Sequence, residues 1–130
     1  MSKIIFITSE KPLELEEYDI KEVKPNYYTY TYYPCLKGKK NIYDLENFNN
    51  NISYKQLINE LINNVEKDNN IVFLILEQTE NEKEINELNK NIKNNVVIKL
   101  GKNDNEIFDL VYRLERNSLI TSSEYSFIID

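Results

Sequence analysis

The 130-residue chain has no histidine, no tryptophan, one cysteine, one methionine, two glycines and three prolines. Without histidine there is no Ser-His or Cys-His nucleophile pair and no imidazole general base. Cys35 cannot build the usual zinc site alone, and it has no partner for an internal disulfide, which fits a reducing, cytoplasmic setting. No imidazole activates it, so it reads as a structural cysteine. Two glycines are too few for a dinucleotide fingerprint or a P-loop, where the backbone must approach phosphate closely. Scarce glycine and proline also argue against a loop-rich all-β protein. No apolar run reaches membrane-spanning length, and Met1 to Ile7 is too short for a signal peptide. No cofactor, metal ion or catalytic residue is indicated, and the balance leans away from an enzyme.

What is present is acid. The net charge is -6 and the sequence pI about 4.8. Nucleic-acid binding rests on neutralising phosphates and is disfavoured. Steering toward a basic protein partner is favoured. At 41% hydrophobic and 29% charged residues, the composition is that of one globular domain over residues 1–130. Asparagine, lysine, isoleucine and glutamate dominate, so a single Asn or Lys says little.

The unbroken apolar run Ile71-Val72-Phe73-Leu74-Ile75-Leu76 predicts a strand covered on both faces. Ile4 to Thr8 reads as a first strand. Leu13 to Val23 reads as a loop or turn followed by a strand from about Tyr18. After the turn at Lys24-Pro25-Asn26, the run Tyr27-Tyr28-Thr29-Tyr30-Thr31-Tyr32-Tyr33 reads as a strand on composition, able to form a hairpin with the one before it. Asn41 to Asn50 reads as a connector tethered by Ile42, Leu45 and Phe48. Ser53 with Gln56 forms a capping box, and Tyr54, Leu57, Ile58, Leu61, Ile62 and Val65 recur at helical spacing behind it. Thr79 with Glu82 predicts a second, outer helix carrying Ile85, Leu88 and Ile92. Val96 to Leu100 predicts a strand closed by Gly101. A third helix begins at Asn103 or Asp104, with Ile107, Leu110, Val111 and Leu114 inward and Phe108 beside them. Glu124 to Ile129 predicts a last, edge strand. The alternation of helix and strand from Ser53 onward predicts an α/β three-layer sandwich, with a mixed or mostly parallel sheet of about four to six strands and three main helices.

If those strands are parallel, Thr8-Ser9, Gln78-Thr79 and Gly101-Lys102-Asn103 end on one edge, beside helix N-termini that suit an anion. Thr8, Ser9 and Lys102 are then the candidate ligand-binding residues. Helix capping alone also accounts for Thr79 and Asn103. Thr8-Ser9 with Gly101-Lys102 resembles the Rossmann-like domains that sense cyclic oligonucleotides in prokaryotic defence. The resemblance covers these four residues and implies a small anionic ligand. The tyrosine run offers another surface. With one face inward, Tyr28, Tyr30 and Tyr32 are the core candidates, and Tyr27 and Tyr33 look outward as protein-contact candidates. Lys37, Lys39 and Lys40 beside it would suit single-stranded nucleic acid, against the overall charge.

Two expectations of function follow. The first is a non-catalytic, intracellular protein-binding module of the inhibitor, immunity or adaptor kind. The second is a small-ligand or nucleotide-binding sensor, or a nucleotide-processing domain, using the strand-end edge. The Ser53 box has a local test: Ser53→Ala is expected to cost about 1 kcal/mol in equilibrium denaturation and to leave partner binding unchanged.

Overall fold

The computed structural model describes residues 3–78, 89–101 and 104–129. Its strands are β1 (Lys3–Ser9), β2 (Lys21–Glu22), β3 (Asn41–Asp44), β4 (Ile71–Glu77), β5 (Asn94–Leu100) and β6 (Ser123–Ile129). Its helices are α1 (Tyr27–Tyr32), α2 (Tyr54–Glu66) and α3 (Asn105–Glu115), with single 3-10 turns at Glu16–Tyr18 and Pro34–Leu36. The strands form one six-stranded sheet in the order β2-β3-β1-β4-β6-β5. Every neighbouring pair is antiparallel except β5 and β6.

The fold is therefore a small α+β protein with a mixed, mainly antiparallel sheet, not the predicted α/β three-layer sandwich, and it is not Rossmann-like. The prediction took alternating helices and strands for parallel crossovers. Only α3, between β5 and β6, joins two parallel strands. The chain between β1 and β4 instead lays down β3 against one side of β1 and returns antiparallel on the other. The predicted helix after Thr79 falls outside the described residues, apart from its end.

β4 is buried on both faces, and its alternation sorts the core into two. Ile71, Phe73 and Ile75 join Leu57, Ile58, Leu61, Leu110 and Leu114 in the larger cluster, under α2 and α3. Leu74 and Leu76 join Phe6, Leu36 and Ile42 in the smaller one, against Tyr30, Tyr33 and Cys35. Both long helices lie on one face. The other is covered by a six-residue helix and one turn among the described residues.

α2 starts where the capping box predicts. The Gln56 amide donates to Ser53 Oγ at 3.2 Å and Gln56 Oε1 accepts from the Ser53 amide at 3.0 Å. Leu57, Ile58, Leu61 and Val65 are buried along it. Each large apolar side chain contributes about 1.5–3 kcal/mol on burial, against about 1 kcal/mol for the cap. Packing holds this helix; the cap places its first turn.

The tyrosine run is helical, not a strand. The Thr29 amide donates to Asn26 Oδ1 at 3.1 Å and Thr29 Oγ1 accepts from the Asn26 amide at 3.2 Å, a second capping box. Six residues are too few to hold a helix unaided. Tyr30, Tyr33 and Leu36 recur at intervals of three and dock on the smaller core, and the capping box with this docking sets the helical conformation. The strand expected from Tyr18 shrinks to Lys21–Glu22. It pairs with β3, the segment read as connector. β6 is interior, between β4 and β5, not an edge. β5 is an edge strand of seven residues, and β2, the opposite edge, has two.

Two buried asparagines tie loops to this frame. Asn69 accepts from the Lys11 amide at 2.8 Å and donates to the Lys11 carbonyl at 3.1 Å. Asn89 accepts from the Glu77 amide at 3.2 Å, and it donates to the Glu77 carbonyl at 2.9 Å and the Tyr32 carbonyl at 3.2 Å. Each side-chain amide stands in for a strand neighbour, so no polar backbone group is left unpaired there.

Phe73 has no solvent exposure and meets Phe127 edge to face at 6.1 Å. Phe73→Ala is expected to cost about 3–5 kcal/mol in chemical denaturation; a loss below about 1 kcal/mol would contradict the two-sided burial of β4.

Candidate functional site

The described members of the predicted strand-end site are not brought together. Ser9 pairs with Ile71 at the start of β4, and Lys3 pairs with Glu77 at its end. Gln78 therefore lies on the opposite edge of the sheet from Ser9. Gly101 follows β5 on the same edge as Ser9, but β4 and β6 stand between them. Three strand spacings separate the two by roughly 14 Å. Thr8 and Ser9 are buried, and the Ser9 hydroxyl donates to the Lys11 carbonyl at 2.7 Å. Lys102 and the cap at Asn103 lie outside the described residues. Among the described residues, no group of three or more carboxylate, thiol or imidazole side chains is placed to hold a metal ion, and no helix is long and apolar enough to cross a membrane.

The two tyrosine candidates are separated by the helix. Tyr27 is 78% exposed and meets Tyr28, itself 64% exposed, edge to face at 5.8 Å. Tyr33 turns inward and packs on Phe6 at 5.1 Å. Burial pushes its phenol up, and the nearby Asp44 and Glu46 carboxylates push it further. Tyr27 opens α1 and Tyr33 caps its end in a non-helical conformation, φ -132° and ψ 71°, so the two rings stand at opposite ends of the helix. Tyr28, expected in the core, is on the surface.

Cys35 lies half-buried against the smaller core. Burial outweighs the local hydrogen bond and Lys39, and its thiol is pushed up to about 11. The thiolate is the reactive form, so this cysteine is chemically quiet.

A larger concavity than any at these residues lies elsewhere among the described residues. It is a groove of about 590 Å³ between α2 and α3, lined at the end of β5 by Leu100 and Gly101. Ile58, Ile62, Ile107 and Val111 give it an apolar lining. Phe108 and Tyr112 rise along its α3 side, 58% and 53% exposed. Their spacing of four residues stacks them on one face of the helix. The Arg116 guanidinium lies 4.2 Å from the Tyr112 ring centre and steadies it by a cation–π contact. Among the described residues, Glu66, Asp104 and Glu115 line it with one cation, Lys55; Lys102, between Gly101 and Asp104, lies outside them. The positive φ of 87° at Gly101 turns the chain where it leaves β5. The signal for this site was in the sequence: Phe108 and Tyr112 are large aromatics outside the inward stripe of α3, and only Phe108 stood out, as a neighbour of that stripe.

No protein family, curated protein or solved structure matches the chain.

The quiet thiol has a direct test. An upward shift from 9.0 to about 11 leaves about a hundredfold less thiolate near neutral pH. Alkylation of Cys35 by iodoacetamide is expected to be more than about tenfold slower in the native protein than in denaturant. Equal rates would place the thiol in solvent.

Proposed function

We propose that the chain is a non-catalytic protein-binding module that acts through protein–protein contact, and that the α2–α3 groove is its contact surface. The groove carries this reading. It combines an apolar lining, two exposed aromatics and a charged rim, the arrangement by which buried anchors and a polar surround make an interface. Folding does not require Phe108 and Tyr112 to stand in solvent; burying them against a partner removes that exposed apolar area from water.

The acidic balance supports a basic partner and disfavours nucleic acid. The small-ligand alternative loses its geometric support, because Thr8 and Ser9 are buried and distant from Gly101. Tyr27 and Tyr28 form a second exposed aromatic pair, smaller than the groove and on a helix of six residues.

A photo-reactive amino acid placed at Phe108 is expected to capture a discrete protein in the native host, and the same probe at the exposed Glu14 is not. Tyr112→Ser with Ile62→Asp, in the Phe108 probe, is expected to cut that adduct at least tenfold while the far-ultraviolet spectrum stays native. An adduct that is unchanged by the groove substitutions would overturn the assignment.

A further inference from the structure

The walls of the groove select the form of its occupant. Both are helices, of 13 and 11 residues. At about 1.5 Å per residue they run roughly 16–20 Å, some three helical turns. Helical walls offer side chains and no unpaired strand backbone, and of the edge strand β5 only Leu100 lines the groove. An extended segment lying there would leave its amides and carbonyls without backbone partners. A helix satisfies its own backbone and presents only side chains, which is what an apolar lining and an open rim accept.

The rim selects the charge. Among the described residues, three carboxylates, Glu66, Asp104 and Glu115, line the groove with one ammonium, Lys55, while the Arg116 guanidinium is held over the Tyr112 ring. A second copy of the chain would bring its own α3, with Glu106 and Glu115, against those carboxylates, and like charges facing across an interface are costly. Asp109 and Arg113 of that helix pair with each other at 2.9 Å and offset one another. An anionic lipid surface meets the same repulsion. Lysine or arginine flanking an apolar stripe meets attraction.

We infer that the groove takes one amphipathic helix of a partner protein, about three turns long. Apolar residues at helical spacing seat on Ile62, Ile107 and Val111, and basic residues face Glu66 and Glu115. This rests on the contact reading above and adds the partner's form and charge.

The probe is a synthetic amphipathic peptide of about four turns, with leucine at helical spacing and lysine and alanine elsewhere, titrated into the full chain. Amide chemical shifts are expected to move on α2 and α3 and to stay fixed on α1. Glu66→Lys with Glu115→Lys is expected to weaken binding more than tenfold. A matched peptide with glutamate for lysine, and one with two central prolines, are each expected to bind more than tenfold more weakly. Equal binding of the glutamate peptide would overturn the charge assignment, and equal binding of the proline peptide would overturn the helical one. Self-association through the groove at high protein concentration, or co-sedimentation of the chain alone with anionic phospholipid vesicles that Tyr112→Ser with Ile62→Asp abolishes, would assign it to a second copy or to a membrane surface and overturn the inference. If the peptide fails to bind while the Phe108 adduct in the host still depends on the groove, the contact reading stands and the basic-helix occupant is wrong.

Discussion

Burying β4 on both faces is the constraint from which the remaining architecture follows. A strand of seven residues cannot hide both of its sides in a single core. Ile71, Phe73 and Ile75 demand one cover, and Leu74 and Leu76 demand another. The larger cover is made by two amphipathic helices laid side by side. The smaller is assembled from what the chain has left between β2 and β3, a run of aromatics and hydroxyls that becomes helical in order to dock. The groove is a by-product of the same demand. Two helices packed on one sheet face meet along a seam, and the seam of α2 and α3 is not filled at its surface.

Charge then separates what the fold leaves exposed. The apolar seam is rimmed mainly by carboxylates, on a chain already at -6. Of the exposed tyrosines of α1, Tyr27 lines a concavity with Lys37 and Tyr28 one with Asp44. The two surfaces therefore differ in charge balance as well as in shape.

The legible parts of the fold were those where local chemistry and tertiary demand agree. The Ser53 box, the inward stripe of α2 and the two-sided burial of β4 are of that kind. Strand direction was not legible, because periodicity names an element and says nothing of where its connection lands. The tyrosine segment misled for a different reason. Tyrosine and threonine favour pleated surfaces, but Asn26 with Thr29 caps a helix and Tyr30, Tyr33 and Leu36 repeat every three residues. Tertiary docking decided between two local preferences. β3 was missed because four residues, with Ile42 and Tyr43 buried on opposite faces, show no period. Asn69 and Asn89 were invisible for a statistical reason: in a chain crowded with asparagine, nothing marks the two that clamp backbone. The candidate site was only partly readable. Its lining belongs to two separate helices, and a seam exists only after both have packed.

The unequal sheet edges bear on how readily another chain could add a strand to this sheet. β2 offers two residues to a passing strand, too few to template an addition. β5 offers seven. Among the described residues no strand pairs with its outer side. A long free edge invites cross-chain ladders, and natural sheets discourage them with charge and with poor strand formers. β5 opens on Asn94-Asn95 and carries Lys99 before its last residue. Only the short stretch Val96-Val97-Ile98 reads as sticky, bracketed by these gatekeepers. The asparagine-rich composition that obscured the sequence thus has one useful outcome: it dulls the edge from which this sheet would otherwise grow.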